Sequence, residues 1–507
     1  MTTPSIPRPS PHIWLWGITL AACVLAAGVF LDPPAWIYSP HAFAAIGLGG
    51  LLLTFFVLVM AQTRVSQPSR VTQIVGLASI FLLIVSEAAF VRVNPIKDAY
   101  AGEFSQAVYG ELSMWVVVAL LLGVVTLVNP RYLQGALRPP HIWVTLFALL
   151  ALVSCAYSTR PLFSVAWAFK LFLIVLALKA ISAGITSLAD VVGVLRSLWL
   201  AFLVVTIAPF AQAFLDPGML FRGGRLGGLF AATGVSAAAG TLLLLSVLLP
   251  ASERGKRPVY TATAMLACVI LFLGGGKVAI AAALLSTTVF LLLQRKFVHA
   301  VGFVTLAGLL GLAAFSFFPP LVEYRQRYVG LGLAETLTGR TVLWPAAFDA
   351  IKERPLLGYG FVTSKFASLE VEGIPWPAGH MHNAFLEVLY NNGAIGLVLV
   401  VLMNVAILRR LLGVKRNPLP TDGRLVRWGL LAIYLNLLVN GMLTPSFGGR
   451  PHSGFLVFLA VLTLAARLQE LSKIGLREAG SQIPASYTRP SDGQAFGRTQ
   501  SLPATWW

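Results

Sequence analysis

The sequence predicts a polytopic, all-α integral membrane protein, and three observations carry that prediction. Of 507 residues, 57% are hydrophobic and only 11% are charged, whereas a soluble domain carries about a quarter charged residues. Apolar runs of roughly 17 to 22 residues recur along nearly the whole chain, the length that crosses about 30 Å of hydrocarbon. No stretch keeps a long period-two alternation, so a transmembrane barrel is disfavoured.

Window hydropathy places candidate spans near 13–31, 42–61, 73–91, 113–128, 141–156, 161–181, 192–214, 228–250, 259–273, 278–293, 297–318, 386–408, 428–444 and 453–470. The pairs near 141–181 and 259–293 are tightly joined, which leaves the count at about 12–14. The first run has a weak n-region with Arg8 alone and is followed by further spans, so it reads as an uncleaved first helix. Cys23, Cys155 and Cys268 all lie in apolar runs, which makes them packing residues with neither disulfide nor zinc spacing.

The net charge of +18 would suggest nucleic acid in a soluble protein. Here the charges sit in short loops, and orientation plus attraction to anionic membrane lipids accounts for them. Arg64, Arg70, Arg131, Arg138, Lys179, Arg254, Lys256, Arg257, Arg295, Lys296 and the 409–427 cluster fall in alternate loops and outnumber the cations in the others. That bias puts both termini in the cytoplasm and the 319–381 segment outside. The organisation is then an N-terminal bundle (1–214), spans with an outer Arg/Gly-rich loop (215–318), an outer loop (319–381), C-terminal spans (382–470) and a tail (471–507). The tail is rich in Ser, Gly, Pro, Gln and Thr and is expected to be disordered. The outer loop is too long for a turn and carries a helix-like stretch at Arg340 to Glu353; it is a place for a lid or an acceptor site, or a structural loop without chemistry.

Several outer cations escape the orientation argument: Arg222 and Arg225 in FRGGRLGG, Lys277 in GGGK, Arg340 in TGRTVLW, and Arg450. Arginine presents a rigid fork of donors suited to phosphate oxygens, and glycine lets backbone approach a ligand. Snorkelling to headgroups explains any one of them alone, while Arg225 and Arg340 together point to an anionic ligand. His380-Met381-His382-Asn383 places two of the seven histidines within three positions. On a strand they would share a face and on a helix they would not, so a shared metal has little support. No Walker loop, HExxH or GxSxG element is present. Charges within spans are few, and Glu87, Lys170 and Arg196 are the candidates for function, with Glu87 and Arg196 otherwise placed near span ends and Lys170 otherwise snorkelling.

Three segments carry a resemblance. They are Gly339-Arg340-Thr341-Val342-Leu343-Trp344 running on to Pro355-Leu356-Leu357-Gly358-Tyr359-Gly360; His382-Asn383, nine residues, Gly393, two residues, Gly396; and Arg222-Gly-Gly-Arg225. Together they resemble the bacterial O-antigen ligase superfamily, which includes polysaccharide polymerases and pilin-type oligosaccharyltransferases. The likeness is clearest over about 215–465. Two features depart from it: His380 is outside the pattern, and Lys277 stands where these proteins often carry an arginine.

The resemblance implies a metal-independent glycosyltransferase of the bacterial inner membrane, with its active site on the periplasmic face. The donor would be a glycan on undecaprenyl diphosphate, and the acceptor a sugar hydroxyl on lipid A-core or on another polysaccharide. His382 is then the candidate base, Arg225 and Arg340 the stabilisers of the departing diphosphate, and Arg222, Lys277, His380, Asn383 and Arg450 the candidate binding residues. An O-antigen ligase is the leading expectation. A polymerase of the same superfamily is the alternative within it, and a polysaccharide or lipid transporter the alternative outside it. The transporter predicts paired charges at mid-membrane depth.

Overall fold

The computed structural model describes residues 68–89, 106–134, 140–213, 220–222, 224–227, 232–251, 254–330, 340–367, 380–413 and 421–481. The two predicted spans at 13–31 and 42–61 and the chain after 481 lie outside these residues. Every other predicted span is a helix. In chain order the elements are α1 (Pro68–Ala89), α2 (Gln106–Val128), α3 (His141–Ser154), α4 (Pro161–Gly184) and α5 (Leu188–Ala213), then strands β1 (Phe221–Arg222) and β2 (Arg225–Leu226). There follow α6 (Ala232–Leu248), α7 (Arg257–Leu273), α8 (Lys277–Leu293), α9 (Phe297–Phe317), α10 (Pro319–Gly330) and α11 (Arg340–Glu353). The chain ends with α12 (Ser364–Ala367), α13 (Ala384–Leu412), α14 (Thr421–Leu443) and α15 (Ser453–Ser481).

Eight of these helices are long and apolar enough to cross a membrane, and α3, α6, α7 and α8 are shorter apolar helices. The fold is all-α, with one two-stranded hairpin among the described residues that pairs Phe221 with Leu226 and Arg222 with Arg225. The two tightly joined pairs are separate helices: α3 ends at a turn over 155–157, and Gly274–Gly276 divides α7 from α8. The expected helix at Arg340 to Glu353 has those same bounds. Helix α15 runs past the expected boundary at 470 as far as Ser481, so the first part of the supposed tail is helical.

Because successive spans alternate in direction, the connections that carry the candidate residues fall at one end of the bundle. Contacts across that end agree: Thr159 N donates to Tyr359 O at 3.2 Å, Asn383 Nδ2 to Met442 O at 3.1 Å, and Ser453 N to Glu87 Oε2 at 2.6 Å.

The feature that shapes this end is a break in α13. Gly393 has φ 61° and ψ −164° inside the helix, a conformation that is essentially glycine-only. In hydrocarbon, the carbonyls and N–H groups freed by such a break need partners from the protein. The 355–360 segment supplies them. Tyr359 N and Gly360 N donate to Tyr390 O and Asn391 O at 3.0 and 2.9 Å, while Ala394 N and Ile395 N donate to Pro355 O and Leu356 O at 2.8 and 3.3 Å. The far side of the same segment is held by the α3–α4 turn. Tyr157 Oη donates to Leu357 O at 3.0 Å, Ser164 Oγ to Phe361 O at 2.7 Å, and Phe361 N to Ser154 Oγ at 3.0 Å. A Cβ at Gly393 would stand 2.2 Å from the Leu356 backbone, and one at Gly358 would stand 2.5 Å from Tyr390 O.

Gly393→Ala is therefore expected to lose most folded protein, by backbone strain on the order of 1–3 kcal/mol plus the clash with Leu356. Gly123→Ala, where a Cβ meets nothing within 4 Å, should leave the yield unchanged. Size-exclusion profiles and thermal midpoints of the purified proteins check both; equal behaviour of the two would show that the break tolerates a side chain.

Candidate functional site

The chain enters α13 through His380–Asn383, and each residue of that entry is fixed by a different neighbour. Asn383 is the N-cap: its Oδ1 accepts from Phe385 N at 2.9 Å and Leu386 N at 3.0 Å. Its Nδ2 reaches the last turn of α14 at Met442 O, so both ends of the side chain are engaged in structure. Trp344 Nε1 donates to Met381 O at 2.9 Å, which explains the tryptophan in the 339–344 motif. His382 adopts φ 54°, a left-handed conformation that carries strain in a residue with a Cβ. Its N–H donates to His380 Nδ1 at 3.2 Å, and the two rings pack edge to face with centroids 4.1 Å apart. The accepting Nδ1 leaves the His380 proton on Nε2.

Arg340 opens α11 and donates through Nη2 to Leu443 O at 2.9 Å. Its charge is felt at both His380 and His382. Burial, with Arg340 second, pushes the His382 imidazole down to about 4. Burial first, then His382, His452 and Arg340, pushes His380 well below the usual histidine range. Both rings are therefore neutral at physiological pH and have nitrogens that accept protons.

His452, which the sequence reading passed over, joins the cluster. Its Nε2 pairs with Pro445 O, and its Nδ1 accepts from Gly454 N at 3.0 Å and Phe455 N at 3.4 Å. It thus caps α15. Burial lowers its pKa, and Glu87 partly opposes that.

Beneath this surface lies a buried charge assembly. Lys170, on α4, is 1% exposed and donates to Glu87 Oε1 at 2.7 Å and Glu111 Oε1 at 3.1 Å. The ammonium also stands 5.0 Å from the Trp115 ring and 5.2 Å from the Trp167 ring. Nine residues into α4, it lies about 14 Å along the helix at 1.5 Å per residue. The assembly continues outward. Glu87 Oε2 takes the Ser453 N–H, and Arg450 Nη2 lies 3.8 Å from Glu111 Oε2. Glu387, 2% exposed in the first turn of α13, lies against the backbones of Met381 and Arg450 and the Ser364 side chain.

Arg225 and Lys277 gather on other elements at the same end. The Arg225 guanidinium carbon is 4.7 Å from the Tyr324 ring centroid, and a Cβ at Gly275 would lie 2.9 Å from Arg225 Cδ. Lys277 begins α8 two residues further on and is exposed. Arg222 pairs with Arg225 through the hairpin register. Arg196 is apart from both groups: it lies beside Tyr260, nine residues into α5 from the opposite end. Cys155 and Cys268 are free thiols. Among the described residues no group of three or more His, Cys, Asp or Glu is placed to hold a metal ion.

Of the sequence-predicted residues, then, His380, His382, Asn383 and Arg340 meet at one place, with Arg450 joined to their segment through Glu387, which lies against the Met381 and Arg450 backbones. Glu111, Glu387 and His452 were missed. Glu111 fell just before the span drawn from 113, and Glu387 was read as part of an apolar run. His452 follows a proline in a loop with no pattern of its own. A lone acid inside an otherwise apolar helix was the available signal for the first two.

Lys170→Met is expected to destabilise the protein by about 3–5 kcal/mol, the cost of leaving buried carboxylates without their partner. Adding Glu87→Gln should recover part of the loss. Thermal unfolding in detergent checks this, and additive single effects would show that the pair is not coupled.

With this geometry in place, comparison with known proteins becomes informative. Residues 262–401 match the family model described as O-antigen ligase. That stretch holds Lys277, Arg340, Trp344, the 355–360 segment, His380, His382, Asn383 and Gly393. The chain is also similar to the exopolysaccharide production protein ExoQ of Rhizobium meliloti (strain 1021), with 35% identity over 99 residues. That match covers 17% of this chain and 23% of the relative, so the likeness spans about a quarter of the relative's length. Both matches bear out the resemblance to the O-antigen ligase superfamily that the motifs carry.

Proposed function

We propose that the chain transfers a glycan from undecaprenyl diphosphate to a sugar hydroxyl on lipid A-core, as an O-antigen ligase acting at the periplasmic face of the bacterial inner membrane. The observation that carries this reading is the meeting of a neutral, half-buried His382 with the Arg340 guanidinium. They meet at the bundle end that the charge bias directs outward.

The chemistry balances on these groups. The acceptor oxygen attacks the anomeric carbon and passes its proton to His382, while the anomeric C–O bond to the diphosphate breaks. The diphosphate leaves with the bonding electrons, and Arg340 and Arg225 offset the charge it gains. The energy resides in the donor linkage, so no nucleotide is required, and no metal takes part in this scheme. An imidazole lowered to about 4 is a weak base alone. A bound diphosphate brings negative charge beside it, counteracts Arg340 and raises its proton affinity when the acceptor is to be deprotonated.

A second reading is favoured by the ExoQ relative, whose name ties it to exopolysaccharide production: a polymerase that joins polysaccharide repeats with the same residues. The transporter alternative predicted paired charges within the membrane, and Lys170 with its two carboxylates is such a group. Its outer contacts, however, are Ser453 and Arg450 of the α14–α15 connection. That ties it to the site and gives no sign of a second access path.

His382→Ala should reduce transfer by about 10²–10⁴-fold, the usual worth of a general base, with protein level and donor pool maintained. The assay is glycan analysis of a deletion strain complemented with each form. Full-length glycan held on the lipid carrier with bare lipid A-core identifies a ligase, and loss of long chains with single repeats delivered identifies a polymerase. Near-normal product from His382→Ala would remove it as the base.

The acid limb of kcat/KM reports the same histidine. Burial first and Arg340 second lower the His382 pKa to about 4, so Arg340→Gln should move the limb upward while burial keeps it below the ordinary histidine value. Arg340→Lys, which keeps the charge but loses the fork, should leave the limb in place while losing most activity. A limb unmoved in the Gln variant would show that another group titrates.

A further inference from the structure

We propose that Glu111 is a positioning residue: it sets the Arg450 guanidinium over the Trp167 ring with its N–H groups available for a phosphate oxygen of the substrate. The inference rests on the transferase reading and extends it to residues outside the family match. Arg450 stands in the α14–α15 connection with its guanidinium carbon 4.0 Å from the Trp167 ring centroid. Its side chain is 31% exposed, while Glu111 is 3% exposed. The 3.8 Å separation between Arg450 Nη2 and Glu111 Oε2 gives charge attraction at a distance too long for a hydrogen bond.

The donors of Arg450 are therefore not consumed. Among the described residues no hydrogen bond engages its guanidinium, and its Nε is buried with no partner. Other arginines differ: Arg340 gives a donor to Leu443 O, Arg410 to Ala406 O, and Arg467 to Ile185 O and Glu470. An arginine held only to neutralise a buried acid would form a forked pair with it. Here the geometry withholds that pair and leaves the fork, supported on a tryptophan face, for an oxyanion.

Glu111 holds this position because it is itself held. Lys170 donates to its Oε1, and the same ammonium donates to Glu87. Glu87 in turn takes the N–H of Ser453, three residues beyond Arg450. The connection that carries Arg450 is thus tied at its far end to the assembly that aims the side chain.

The test measures binding of undecaprenyl diphosphate, and of undecaprenol as a control without phosphate, to the full-length protein in detergent. Wild type should prefer the diphosphate. Glu111→Gln should weaken diphosphate binding about tenfold and leave undecaprenol binding unchanged. Glu111→Asp retains the charge opposite Lys170 but withdraws from Arg450, and should fall between the two; it decides the matter where the Gln variant does not fold. Unchanged diphosphate affinity in the folded Gln variant, or in the Asp variant alone, overturns the positioning role while leaving the transferase reading in place. Equal loss for both lipids shows a merely structural role and overturns it as well. No diphosphate preference in wild type removes the proposed donor, and the inference with it.

Discussion

A helix in hydrocarbon cannot stop and restart unless other backbone takes up the hydrogen bonds it drops, and the end of the bundle that carries the histidines is organised around that constraint. Where α13 breaks at Gly393, the 355–360 segment fills the gap on one side, and residues at the α3–α4 junction bind Leu357 O, Tyr359 O and Phe361 N on the other. Three regions far apart in sequence are thereby pinned at one depth. The break lies ten residues beyond Asn383, so fixing it also fixes the first turns of α13 and the His380–Asn383 entry above them. Without the inserted segment, the half-helix that presents His382 would have no reason to hold its present position.

A second constraint acts through charge. Placing Lys170 about 14 Å along its helix is costly unless the charge is paired, and breaking such a pair costs more than forming it gains. The carboxylates that pair it come from α1 and α2, and their second oxygens face Ser453 and Arg450. The amino-terminal helices, which lie outside the family match, are thus coupled electrostatically to the loop beside the histidines. The effect is directional: the helices brought together by the charges are those whose outer ends border the site.

Much of the fold was legible in the sequence, because span length is a one-dimensional property. Every described span appears where apolar runs placed it, and the helix at Arg340 to Glu353 was visible from composition alone. The glycines at 358, 360 and 393 were legible as motif but not as mechanism: nothing in their spacing shows that two separated motifs insert into one another. Trp344 belonged to the motif without its reason, which is the carbonyl of Met381. Asn383 was read as a binding residue from the motif it shares with His382, and its structural part, a helix cap with both side-chain ends engaged, was not visible there. Glu111, Glu387 and His452 stayed hidden because their significance is pairwise, and the partners lie on other helices.

The double use of Arg340 follows from the same economy of backbone. Helix α14 ends with carbonyls that lack intrahelical partners, and two of them, at Met442 and Leu443, are taken by Asn383 and Arg340. One end of α14 thereby holds the residue before α13 and the residue that opens α11, on either side of the histidine pair. A guanidinium that donates one Nη to a carbonyl has its plane fixed by that bond while other N–H groups remain on the planar fork. Anchoring and reactivity are therefore not competing accounts of Arg340. The bond to Leu443 O holds its positive charge beside His382, where it adds to burial in keeping the imidazole deprotonated in the absence of an anion. Anion binding next to the same guanidinium would reverse the balance, so the site would gain its base strength only when the anionic donor is in place.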